Sequence, residues 1–113
     1  AITKLDVLDD LDEIPVCVSY RLDGRELSDV PALVEDLAQV EPRLETLPGW
    51  KSNTTAVTRF ADLPPAARDY VRFLEERCGA PAVLISTGPR REETIWRERS
   101  AFLEALPPAR VGA

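Results

Sequence analysis

Residues 62–89 read DLPPAARDYVRFLEERCGAPAVLISTGP, and this stretch decides the fold class. Asp62 stands at an N-cap position, and Pro64 and Pro65 follow where a helix has no intrahelical donor to lose. Ala67, Tyr70, Val71, Leu74 and Cys78 recur at helical spacing and so share one face. Gly79 is placed to leave the helix in the left-handed conformation, and Pro81 prevents its continuation. Ala82 to Ile85 is then a short, continuously apolar run, the kind of strand buried on both faces of a parallel sheet. Helix, short loop and buried strand make half of an α/β unit, so the expected fold class is α/β.

Toward the N-terminus, Ile2, Thr3, Leu5, Val7 and Leu8 suggest the end of a strand over residues 1–8. Asp9, Asp10, Asp12 and Glu13 read as the acidic first turn of a short helix. Ile14 to Tyr20 reads as a strand, Asp23-Gly24 as a two-residue hairpin turn, and Arg25 to Leu27 as the returning strand. From about Ser28 to Ala61 only Leu33 to Leu37 offers a helical turn, and no sustained period appears. This long irregular segment holds Leu44, Leu47, Trp50, Val57 and Phe60, all wanting burial, so it is expected to lie across a larger body. Toward the C-terminus, Thr94 to Leu106 reads as a helix with Ile95, Arg99, Phe102, Leu103 and Leu106 on one side. Residues 1–106 are expected to form part of a single, incomplete domain, and 107–113 a frayed tail.

Composition excludes several classes of function. The length is that of one domain, and the 44% apolar and 30% charged content is that of a globular chain. A net charge of -6 argues against nucleic acid and against an anionic membrane surface as partners. No apolar run approaches the roughly 20 residues of a membrane span, and no basic-then-apolar leader opens the chain. Cys17 and Cys78 sit in apolar runs and read as buried free thiols, which fits a reducing, cytoplasmic compartment. The absence of histidine removes any Ser/His or Cys/His nucleophile from this chain. The absence of methionine is expected of a trimmed product or of a piece of a longer protein.

Two short motifs remain. The first is Thr3-Lys4-Leu5-Asp6, at the carboxyl end of an expected strand, where open α/β sheets place ligands. Guanine presents two donors on one edge, N1–H and the 2-amino group, and a fixed carboxylate accepts both. Adenine has no such pair, so the same carboxylate is left unpaired against it. On a strand, Lys4 would lie on the same side as Asp6, its stem covering the face of the base. Asp6 capping the following helix is the more ordinary reading. The second motif is Ser86-Thr87-Gly88-Pro89, whose small residues let a backbone approach a ligand and whose N–H groups would reach guanine O6. Taken alone, a strand-to-loop turn closed by Gly-Pro is the more ordinary reading. Gly24, Gly49, Gly79, Gly88 and Gly112 are too scattered for a phosphate-cradling loop, so phosphates must be held elsewhere. Arg90, Arg91, Arg97 and Arg99 are offset by Glu92, Glu93 and Glu98 and read as a solvated, salt-bridged face. The acidic group at 9–13 lacks EF-hand spacing and is not read as a metal site.

Both motifs, together with what lies between them, resemble the carboxy-terminal part of the adenylosuccinate synthetase family. The strings are Thr3 to Asp9, Val16 to Tyr20, Val40-Glu41-Pro42, Glu45 to Trp50, Leu63-Pro64 with Ala67, Tyr70 and Glu75-Glu76, and Ile85 to Pro89, in order from about Ile2 to Ile95. The resemblance implies the C-terminal part of a P-loop-like α/β ligase fold, with a β-hairpin and a long irregular segment. It implies a GTP-dependent ligase that joins IMP and L-aspartate in AMP biosynthesis. GTP phosphorylates the purine O6, and the aspartate amine then displaces phosphate. It carries guanine recognition onto Lys4, Leu5 and Asp6 and onto Ser86, Thr87 and Gly88. The phosphate loop, the catalytic aspartate and histidine, the magnesium ligands and most IMP contacts match no position here, so the chain alone is expected to be inactive. GTP and GDP are the implied ligands, a homodimer the implied assembly and the cytoplasm the implied compartment. Arg90 departs from the family, which usually has an acidic residue after Gly-Pro, and the tail beyond Ile95 is longer than usual. A free-standing weak guanine-nucleotide binder and a purely structural segment are the alternative readings.

Overall fold

The computed structural model describes residues 1–97. The fold is α/β: a three-stranded antiparallel ribbon, a long helix, and a small second sheet that meets the N-terminal segment. The ribbon consists of β1 (Glu13–Leu22), β2 (Arg25–Leu27) and β3 (Glu41–Pro48), in the order β2-β1-β3. Between β2 and β3 lies the single turn α1 (Val34–Leu37), within the helical stretch expected there. The helix α2 spans Pro65–Cys78, and the second sheet pairs β4 (Leu84–Ser86) with β5 (Thr94–Trp96).

Local chemistry accounts for the elements read from sequence. Asp23 (φ 50°) and Gly24 (φ 77°) both take positive φ, as a type I′ hairpin turn requires, and β1 returns as β2 with Leu22 opposite Arg25. Pro65 opens α2 at its first turn, and Gly79 (φ 66°) closes it, its N–H donating to Glu75 O. Asp62 does not cap the helix. It ends a 3₁₀ turn, Phe60–Asp62, and Pro64 takes the N-cap position.

β3 had no sequence signature because its surface is wet and it sits at the ribbon's edge. Every position but Leu47 is exposed, so nothing imposes alternation. Pro42 and Pro48 are tolerated because an edge strand has a side with no ladder to break. Pro15 is accommodated in β1 for the same reason: β2 pairs with β1 only from Tyr20 onward, so at Pro15 only β3 lies alongside. A bulge at Val18 shifts the β1–β3 register between Cys17 and Ser19.

The core gathers Leu5, Ile14, Trp50, Leu63, Ala67, Val71, Ala82, Ile85 and Ile95. Ala67 and Val71 are the innermost residues of the α2 face, Tyr70 packs beside them, and the Tyr70 ring lies 5.7 Å from that of Trp50. Burial pushes the Tyr70 phenol above its ordinary pKa. Leu47, Val57 and Phe60 are partly buried, whereas Leu44 is exposed. Cys17 and Cys78 are both free and exposed, not buried as expected: Cys17 lies on the ribbon, and Cys78 ends α2 beyond the buried stripe.

Three further expectations change. The acidic residues 9–13 start no helix, because Asp9 turns inward and Glu13 begins β1. Residues 94–96 are a strand, since pairing with β4 buries Ile95 completely; the remainder of the expected helix to Leu106, and the tail 107–113, lie outside the described residues. Arg97 is not part of a solvated face. It donates to Glu75 Oε1 at 2.7 Å and to Ala82 O, with its guanidinium 4.0 Å above the Phe60 ring, tying β5 to α2. Arg99 and Glu98 lie outside the described residues.

Gly49 shows how tightly β3 hands over to the site. Its N–H donates to Asp12 O at 2.8 Å, and a Cβ placed there would run into the Leu11 carbonyl. Gly49→Ala is expected to destabilise the protein by about 2 kcal/mol through overpacking against backbone. Gly24→Ala, which meets no neighbour but must hold a positive φ, should cost about 1 kcal/mol. Urea midpoints of the two variants check both the order and the scale.

Candidate functional site

The site is assembled by one short parallel contact. Ile2 N–H donates to Leu84 O at 2.9 Å, and Ser86 N–H donates to Ile2 O at 2.8 Å, so the N-terminal segment runs beside β4. The chain after Ile2 and the chain after Ser86 therefore leave the same end of this pairing together. This is the carboxyl end of the strands, the place where α/β folds position ligands.

Lys4 then turns the chain. Its φ of 59° and ψ of 39° are left-handed, and a 3₁₀ turn, Leu5–Leu8, follows at once. The strand thus ends before Lys4, and strand alternation is not what brings Lys4 and Asp6 to one side. The tight turn does so, because Leu5 points into the core with 1% of its surface exposed while its neighbours face out. The turn has no side-chain cap, so Asp6 is not spent as one. Among the described residues the Asp6 carboxylate has no hydrogen-bond or ion-pair partner, and the Lys4 ammonium has none either.

On the opposite side, Ser86 Oγ donates to Gly88 O at 3.0 Å and closes the loop on itself. Thr87 is completely buried, and its N–H donates to Glu93 O at 2.9 Å. Ser86 N–H is already used in the contact with Ile2. Of the three consecutive backbone donors, Gly88 N–H alone is without a partner among the described residues. Gly88 also sits against the Glu93 side chain, which a Cβ would displace. The Glu93 carboxylate accepts from Arg90 N–H at 2.8 Å and so holds the loop beyond Pro89.

Between the two sides lies an open cleft of about 440 Å³, lined by Thr3, Lys4, Asp6, Val7, Ser86, Gly88 and Pro89. Four of the six residues singled out from sequence, Lys4, Asp6, Ser86 and Gly88, meet there. The Leu5 and Thr87 side chains are buried beneath it. Chemically the cleft offers a free carboxylate, a free ammonium on a flexible stem, a free backbone N–H and the apolar surfaces of Val7 and Pro89. That combination suits a flat heterocycle with a two-donor edge and a carbonyl.

Sequence reasoning missed the residue that supports the cleft from below. Asp9 is buried, accepting from Trp50 Nε1 at 2.7 Å, from Thr54 N–H at 2.7 Å and from Thr54 Oγ1 at 2.8 Å. The one available signal was Trp50 itself, since a buried indole N–H demands an acceptor. No local pattern says which carboxylate supplies it. Among the described residues no group of three or more histidine, cysteine, aspartate or glutamate side chains is placed to hold a metal ion. Nor is any described helix long and apolar enough to cross a membrane.

The family model for adenylosuccinate synthetase matches residues 1–95. The chain belongs to the adenylosuccinate synthetase family. It is 48% identical over 101 residues to the adenylosuccinate synthetase of Solibacter usitatus, a match covering 89% of this chain and 23% of that protein. It is 50% identical over 102 residues to that of Thermomicrobium roseum, covering 90% of this chain and 24% of the relative. Among solved structures, a fully ligated adenylosuccinate synthetase from Plasmodium falciparum is similar with a TM-score of 0.82 and 34% identity, over 85% of this chain and 24% of that one. The chain thus spans only 23–24% of the length of these synthetase relatives.

Proposed function

We propose that this chain supplies the base-recognition half of the GTP site in a ligase that joins IMP and L-aspartate to form adenylosuccinate. The observation that carries the reading is the convergence of Lys4, Asp6, Ser86 and Gly88 on one cleft, in a chain of this family. In this reading the Asp6 carboxylate accepts from guanine N1–H and from the 2-amino group. Gly88 N–H donates to O6. The Lys4 stem covers one face of the ring, and its ammonium adds a cation over the π system. Leu5 anchors the turn from the core, which holds Asp6 at a fixed place, and Thr87 does the same for the opposite loop.

The division of labour follows from the residues present. The glycines are too far apart in sequence to cradle phosphates, and there is no histidine for proton transfer. This chain therefore selects and orients the nucleotide, while phosphoryl transfer to IMP, with the magnesium it uses, and displacement by the aspartate amine belong to the rest of the ligase. A homodimer acting in the cytoplasm is the setting we propose for the whole enzyme.

The test is the full-length protein supplied with IMP, aspartate and either GTP or ATP, with adenylosuccinate formation followed spectroscopically. GTP should support the reaction at a rate at least about a hundredfold above ATP, the discrimination expected when a buried polar edge goes unpaired. Equal use of ATP and GTP would remove the role given to this cleft. Lys4→Ala is expected to raise the KM for GTP by about fivefold, the scale of one cation–π contact, and a binding titration with GDP checks it.

A further inference from the structure

The two sides of the cleft are joined by a third segment, none of whose residues lines the cleft. Residues Thr54 to Val57 form a turn closed by Val57 N–H donating to Thr54 O at 3.0 Å. One end of this turn holds the Lys4–Asp6 side. Thr54 N–H and Thr54 Oγ1 both donate to Asp9, which directly follows the 3₁₀ turn carrying Asp6, and Thr54 is completely buried. The other end holds the Ser86–Gly88 side. The single hydroxyl proton of Thr87 is shared among Thr55 O and Val57 O, each at 3.4 Å, and Glu93 O at 3.2 Å. Trp50 Nε1 donates to Asp9 Oδ1, the same oxygen that accepts from Thr54 Oγ1, and so holds the carboxylate from the core side.

We propose that the Thr54–Val57 turn is a bridge that sets the width and register of the base cleft, which makes Asp9, Thr54 and Thr87 positioning residues for nucleotide selection. The inference rests on the guanine reading of the cleft and adds to it a residue set outside the cleft lining. A carboxylate discriminates a two-donor edge only while it stays fixed relative to the donor that reads the opposite carbonyl. A shift of a few tenths of an ångström on either side bends or lengthens one hydrogen bond of the pair. Among the described residues, the segments carrying Asp6 and Gly88 hydrogen-bond to each other only through Ile2 beside β4, and beyond it non-directional packing of Leu5 near β4 sets their spacing. The bridge adds directional bonds to that packing. It also explains the complete burial of two threonine side chains so close to a cleft that neither of them lines.

The experiment compares the full-length protein with Thr87→Val, Thr54→Val and Thr87→Ser, measuring kcat/KM for GTP and for ITP together with the melting temperature. Inosine lacks the 2-amino group, so the GTP-to-ITP ratio reports the second Asp6 hydrogen bond and not mere folding. The expected result is a fall in that ratio of about fivefold to tenfold for Thr87→Val and for Thr54→Val, the equivalent of one weakened hydrogen bond. Thr87→Ser keeps the hydroxyl and should hold the parental ratio. A lowered melting temperature with an unchanged ratio would show that the threonines only stabilise the fold, and the inference would be overturned. If Thr87→Val does not fold, Thr54→Val decides, because it deletes one hydroxyl bond and keeps the backbone bond to Asp9. Asp6→Ala run alongside separates the two readings. Loss of the ratio there with no change in the threonine variants removes the bridge alone, whereas an unchanged ratio in Asp6→Ala removes the guanine reading itself.

Discussion

Asp6→Ala is expected to lower kcat/KM for GTP in the full-length protein by about 10- to 150-fold, which corresponds to roughly 1.5–3 kcal/mol for hydrogen bonds to a charged acceptor. Use of ATP should change far less, because adenine offers no paired donors to lose. The size of the effect follows from geometry. The carboxylate is half-buried at the cleft wall and has no partner of its own among the described residues, so its acceptor capacity is open to a ligand. Its removal should also leave the fold nearly untouched, since the turn that carries it is anchored by Leu5 and Asp9 and not by Asp6. Steady-state kinetics with both nucleotides and a melting curve together make the check. A parental preference for GTP in a well-folded Asp6→Ala protein would show that another group reads the base.

Asp9→Ala is the second large effect, and it falls on stability. It removes the acceptor of three hydrogen bonds and leaves the Trp50 indole N–H and the Thr54 N–H buried without partners. Each orphaned buried donor costs about 1–3 kcal/mol, so a total loss of about 3–5 kcal/mol is expected. Chemical denaturation followed by far-ultraviolet circular dichroism measures it. A Trp50→Phe substitution in the Asp9→Ala background should recover part of the loss, because it deletes one of the stranded donors. A loss below about 1 kcal/mol would mean that water reaches these groups and satisfies them.

Different parts of the molecule were legible to different degrees. The helix α2 was readable because its signals are chemical and adjacent: proline at its start, an apolar stripe along its length, glycine at its end. The hairpin was readable because Asp23-Gly24 allows few other conformations. β3 was not, because an edge strand with an exposed surface carries neither alternation nor strong propensity. β5 was misread as the start of a helix because Ile95 fits either period, and only the presence of β4 alongside settles which one holds. At the site, residue types pointed to two motifs whose side chains meet at one cleft, but a motif is a string, and not all of its side chains face the same way. Leu5 and Thr87 are the two of the six that are buried away from the cleft.

The chain by itself determined which short elements form, which two loops carry unusual polar groups, and the family to which they belong. These depend on interactions within a few residues, or on a colinear pattern that survives without coordinates. Only the tertiary structure decided that the two loops share one cleft, that Asp9 turns inward, and that Thr54 and Thr87 connect the two sides. Those contacts join residues 30 to 45 positions apart. Their formation depends on the shape of a common core, which no local stretch of sequence encodes.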